Sequence, residues 1–252
     1  MLYDDRDRIA VRKVVLAVTA LAWVVSIWTS RAPGSHVHDS GSNAFLVAPG
    51  GVAVNWLLML ATMMAPVLIQ PIQFIRGQGL ARRRTRATLL FLSAYSAIWT
   101  IAGAALLALA ATVHSAGHTP VIPAAAVLAF ATFWQCSPAK QVCLNQCHVR
   151  PALAAFGRRA DTDVVTFGAR HAAWCIGSCG GWMLVPLILS GGHFAAMMAT
   201  AVLIFCERLD KPAPPAWQWR GLGTAWRLVA GQVRMQQRAA RYRDQGGPLR
   251  VR

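Results

Sequence analysis

Apolar stretches recur along this chain at residues 14–30, 51–75, 87–113, 121–135, 166–190 and 193–207. A helix needs roughly 20 apolar residues to cross the hydrocarbon of a bilayer. The expected fold is therefore all-α, a polytopic transmembrane helical bundle of about six spans. The fourth and sixth stretches are short, and each also fits a tilted or partly interfacial segment. Composition agrees with this class, at 56% hydrophobic and only 13% charged residues.

Basic residues test the count independently, because lysine and arginine gather in cytoplasmic loops. With both termini inside, the cytoplasmic segments carry Arg6 to Lys13, Arg76 to Arg86, Lys140 to Arg170, and the tail after Cys206. Of the 25 lysines and arginines, all but Arg31 fall on that side. The formal charge of +16 thus reads as a topology signal. It is split among four segments and not gathered on one domain, which argues against nucleic acid as a partner. A cleaved leader is the rival reading of the first stretch, and Asp4, Asp5 and Asp7 oppose it. The expected location is the inner (plasma) membrane, crossed several times.

Two domains are expected, a transmembrane metal-binding domain at 1–212 and a basic cytoplasmic tail at 213–252. The tail is read as an amphipathic helix lying on the bilayer, with Trp217, Trp219 and Trp226 at headgroup level. Leu228, Val229, Val233 and Met235 are taken as its apolar face.

The chemistry lies in the sulfur. The segment CSPAKQVCLNQCHVRP begins at Cys136, where the fourth stretch ends. Ser137 followed by Pro138 is a helix start, serine as N-cap and proline at the first helical position. A short cytoplasmic helix should follow and end before Pro151, with Cys143 and Cys147 on one face and Cys136 able to approach it. The fifth stretch places His171, Cys175 and Cys179 at i, i+4 and i+8, one stripe of one helix. Reducing cytoplasm and one-turn spacing both disfavour disulfides. Buried cysteine as plain apolar filler is the bland alternative.

Methionines sit deeper, with Met63 and Met64 before Pro66 in the second stretch. His114 and His118 have i, i+4 spacing at the end of the third, and His36, His38 and His193 also fall at the outer loops. Imidazole outside, thioether in the middle and thiol inside order the ligands by softness. That order favours copper, held as Cu(I), with zinc as second candidate. The spans offer almost no carboxylates for magnesium, calcium or proton coupling.

These residues also carry a family resemblance. WQCSPAKQVCLNQCHVRP (134–151), WLLMLATMMAP (56–66), HAAWCIGSCGGWM (171–183) and GGHFAAMM with CERLDKP (191–212) together resemble the DUF2182 family of predicted metal-binding bacterial integral membrane proteins. The resemblance implies a multi-pass helical protein that binds metal in a bacterial inner membrane, and it implies no reaction. Its cysteine pattern falls on Ser137, Pro138, Lys140, Cys143, Leu144, Cys147 and Pro151, with serine where the family has threonine. Its methionine element falls on Met63, Met64 and Pro66. His193 and Phe194 stand where the family tends to have methionine and asparagine.

The function expected is binding of a soft metal, most of all copper, for transport or for delivery to a donor or acceptor protein. The bilayer is the other partner. Two alternatives stay open. One is a membrane thiol-disulfide oxidoreductase using Cys175 and Cys179, and the other is a noncatalytic scaffold whose cysteines and small residues pack helices. Enzymatic activity is not the favoured reading.

Overall fold

Proline and glycine decide where the helices of this chain stop and bend. In the computed structural model the described residues are 5–31, 49–115, 121–189, 192–221 and 223–244. All of the regular structure among them is helical. Helix α1 is Asp5–Arg31 and α2 is Pro49–Met64. Pro66 lacks the N–H that an α-helix would use, and the chain tightens to a 3-10 turn at Ala65–Leu68 before α3, Ile69–Gln78. After a second 3-10 turn, α4 runs Arg84–Ser115 and α5 runs Val121–Cys136.

The short helix expected after Cys136 is present as α6, Pro138–Cys147, and it is capped as the sequence suggests. The Ser137 hydroxyl accepts from the Lys140 amide at 3.1 Å, and Pro138 opens the first turn. The axis turns by 67° between α5 and α6. Helix α7 is Gly157–Ile188, α8 is His193–Leu209 and α9 is Gly223–Asp244.

Four segments are long and apolar enough to cross a membrane: Asp5–Thr29, Gly50–Gln78, Ala81–Val113 and Gly157–Ile188. The bent α5–α6 pair makes a fifth if it is one span. Helix α8, the sixth expected stretch, has 17 residues. Large apolar side chains point outward along these helices, among them Leu21, Val54, Ile101, Ile122 and Phe133. Such a girdle is unfavourable in water and neutral in hydrocarbon.

Helix α7 is the centre of the packing. It has its most extensive contact with α4 and also meets α5, α6 and α8, while α1 lies against α2 and α3. The approach of α4 is close because Gly168 has no side chain: a Cβ there would sit 2.7 Å from the Phe91 carbonyl oxygen. Phe91, Tyr95 and Trp99 of α4 are fully buried beside Phe167 and His171 of α7.

Ion pairs tie the basic helix ends together. Asp7 of α1 meets Arg84 of α4 and, at 3.8 Å, Arg76 of α3. Asp161 of α7 holds Arg83 at 2.5 Å and Arg86 at 2.7 Å. The start of α1, the end of α3, the start of α4 and the start of α7 thus share one end of the bundle.

The segment between α8 and α9 folds back onto the α5–α6 corner. Asn145 exchanges two hydrogen bonds with Ala213, and the Gln218 amide donates to the Cys136 carbonyl at 3.1 Å. The tail helix forms, with Trp226, Val229, Val233 and Met235 all exposed. Its geometry corrects the expected apolar face: at about 100° per residue, Met235 falls on the side opposite Val233. Trp226, Val229 and Val233 form the shared stripe.

Candidate metal centre

The kink at Pro66 leaves Met64 at the end of α2, fully buried and facing α7. There it meets the cysteine stripe. The Cys179 sulfur is 4.0 Å from the Met64 sulfur and 3.6 Å from the Cys175 sulfur. Cys175 and Cys179 are themselves 0% and 1% exposed, so all three donors are cut off from water. A disulfide bond length is about 2.05 Å, and all six cysteines are free thiols.

Three polar side chains surround these sulfurs. The Tyr95 hydroxyl donates to Cys175 at 3.3 Å. The Arg208 guanidinium, at the end of α8, reaches Cys175 at 3.2 Å and the Ser178 hydroxyl at 3.0 Å. It also bonds the side chain of Cys147, which α6 brings in beside Ser178. A positive charge from α8 is thereby placed among three buried thiols, two from α7 and one from α6. An arginine cannot shed its proton in a protein, so this site is one where thiolates find a fixed counter-charge.

The other expected ligands lie around this cluster in different relations to it. Cys143 packs against α7 at Gly177, where a Cβ would sit 2.6 Å from its sulfur. Gly177 is about 160° around the helix from Cys175, so Cys143 approaches another face. Cys136 lies at the α5–α6 corner near Arg220. Met63 is buried in the same core as Met64, Cys175 and Cys179. His171 is buried one turn before Cys175, ringed by Phe91, Tyr95 and Phe167, and its Nε2 has no hydrogen-bond partner. His114 belongs to α4, and His118 lies outside the described residues.

Three charged side chains near the α5–α6 corner, Lys140, Glu207 and Arg220, are buried. Lys140 is 0% exposed and pairs with Glu207 at 2.7 Å. Gln135 binds both of them, and Trp182 donates to Gln135. Arg220, from the folded-back segment, bonds Gln141 and the carbonyls of Gln135 and Ser137. Burial draws its guanidinium below the ordinary range, against the opposing pull of Cys136 and Glu207. Glu207, at the end of the sixth expected stretch, is a buried carboxylate neutralised by a lysine from another helix.

Among the described residues no three His, Cys, Asp or Glu side chains stand together in metal-holding geometry. The cluster of two thiols becomes three sulfurs only when the thioether of Met64 is included. Soft thiolate and thioether donors are the set that selects Cu(I). A family model described as PpoB2: Copper chaperone matches residues 53–232. The chain belongs to this copper chaperone family. The matched range contains Met64, Tyr95, Cys147, Cys175, Cys179 and Arg208, every residue of the cluster. The metal-handling role implied by the motifs is supported by the family's description, which does not speak to DUF2182. No curated protein and no solved structure matches the chain.

Sequence reasoning missed Arg208 and Tyr95. Arg208 was counted only as one more basic residue of the tail, although it follows Cys206 and Glu207 directly. Tyr95 is a lone phenol within the apolar run of α4, and that polarity was its signal.

Proposed function

We propose that this protein is an integral membrane copper carrier that holds Cu(I) between Met64, Cys175 and Cys179. The observation that carries the reading is the spacing of the three sulfurs. Donors bound at about 2.3 Å to one ion, the length of a metal–thiolate bond, stand roughly 3.8–4.0 Å apart in tetrahedral or trigonal arrangement. The two separations from the Cys179 sulfur, to Cys175 and to Met64, are 3.6 and 4.0 Å, close to what one bound ion requires.

Charge balance supports copper over zinc and Cu(I) over Cu(II). With Cys147 a neutral thiol, the thiolates of Cys175 and Cys179 are offset by one monovalent ion and the Arg208 guanidinium, leaving no net charge in a buried site. A divalent ion would leave an uncompensated positive charge there, which a low-dielectric interior penalises heavily. Cys147, on the same guanidinium, adds a third thiol at the edge of the cluster.

The shared end of the basic helices supports six spans with both termini in the cytoplasm, the bent α5–α6 pair and α8 being the fourth and sixth. A bacterial inner membrane is proposed on the DUF2182 resemblance, and delivery to an acceptor protein on the family's chaperone description. Cys143, Cys136, Met63, His114 and His118 remain proposed outer ligands of the route. DUF2182 membership is proposed on the four motifs.

X-ray absorption at the copper edge of Cu(I)-loaded, detergent-solubilised protein tests the site. Three sulfur neighbours are expected, falling to two in Met64→Leu. A shell of nitrogen or oxygen donors would refute it. A Cys175–Cys179 pair that turns over thiols and disulfides without metal would instead establish the oxidoreductase reading.

A further inference from the structure

One turn of α7 before Cys175 is the edge of a cavity of about 220 Å³, between the loop that follows α6 and the first half of α7. Val149, Pro151 and Leu153 form its loop wall, and Asp163, Arg170 and His171 lie on its α7 wall. The loop is held in place. The Asp163 carboxylate accepts from the Ala154 amide at 3.0 Å, Arg150 bonds Gln70 at 3.2 Å, and the Arg150 guanidinium lies over the Phe74 ring. The opening is therefore a built feature of the fold.

His171 belongs to both the cavity and the core. It lines the opening, it is only 4% exposed, and its Nε2 is buried without a partner. An unpaired buried nitrogen is costly and calls for a ligand. Cys175 lies one turn further along α7, about 6 Å by helix rise. Tyr95, whose hydroxyl binds Cys175, packs against the His171 ring with centroids 6.1 Å apart.

We propose that this cavity is the port through which the sulfur cluster exchanges its copper, with His171 as the ligand that passes the ion between port and Cys175. The inference rests on the cluster being the copper site. An incoming ion exchanges a carrier bond for a bond to Nε2, then that bond for bonds to the sulfurs of Cys175 and Cys179. Copper stays Cu(I) throughout, and the two thiol protons leave through the cavity to solvent. The port opens at the arginine-rich end of the bundle, so loading or release on that side needs no passage through the apolar half of the protein.

The test is stopped-flow exchange of Cu(I) between the purified full-length protein and bathocuproine disulfonate, recorded in both directions. Ala152→Trp fills the rim of the cavity from an exposed position. It should slow loading and release alike by about tenfold, the effect of a barrier roughly 1.4 kcal/mol higher, with the copper affinity unchanged. His171→Leu should slow both rates by a similar factor. Rates within twofold of wild type in both variants would overturn the port while leaving the copper site standing. Wild-type protein that takes up no Cu(I) would overturn site and port together.

Discussion

Arg208 is the residue on which the buried charge balance turns. Replacing it with methionine removes the counter-charge that the thiolates share. Breaking a buried, hydrogen-bonded charge contact costs about 3 kcal/mol, roughly a hundredfold in Kd. A competition titration of Arg208→Met against a Cu(I) chelator should show that weakening. Met64→Leu is the complementary case. Methionine and leucine exchange at less than about 1.5 kcal/mol in a core, so the apo-protein should keep its thermal stability while copper affinity falls. A Met64→Leu protein with wild-type affinity would remove the thioether from the site. At this scale the sequence showed which elements of chemistry were present, since helical spacing alone put Cys175 and Cys179 on one stripe. It did not show Arg208, because a residue at the end of α8 is brought to the middle of α7 by packing between helices, which no local pattern encodes.

At the scale of elements, the junction of α6 and α7 depends on Gly177. Gly177→Ala places a methyl 2.6 Å from the Cys143 sulfur. Overpacking of this kind costs typically 1–3 kcal/mol, on the order of a single strained contact. Thermal unfolding of the apo-protein in detergent should show that loss, and Cys143→Ala in the same chain should restore much of it. Helix α6 also carries Lys140, which pairs with Glu207 of α8. Glu207→Gln leaves an unpaired buried ammonium and should destabilise by about 3–5 kcal/mol; adding Lys140→Met should recover most of that. If Glu207→Gln unfolds at the wild-type temperature, the pair is not buried as described. Helix α6 itself was legible from Ser137 and Pro138, whose capping chemistry is local. The burial of Lys140 was not, because a lysine in the first turn of a helix reads as solvated until its partner is known. The apolar face of α9 was misread, since Met235 was grouped with Val233 without regard to the turn of the helix.

For the molecule as a whole, the ion pairs of Asp7 and Asp161 gather four helix ends on one side. Reporter fusions at residue 1 and after residue 212 should both report a cytoplasmic location, and a periplasmic signal from either would remove the six-span topology. The all-α class was legible because apolar runs of spanning length have few other solutions. The number of crossings was less so. The α5–α6 pair bends by 67° and α8 has 17 residues, and length alone does not distinguish a span from a re-entrant segment.

The most direct test is the copper content of purified wild-type protein beside Cys175→Ser/Cys179→Ser and Cys143→Ser, each loaded with Cu(I) under reductant and desalted. The expected result is near-stoichiometric copper in wild type and in Cys143→Ser, with loss in the Cys175→Ser/Cys179→Ser protein. Copper retained in full by that double variant would contradict the assignment of the metal to the α7 cysteines.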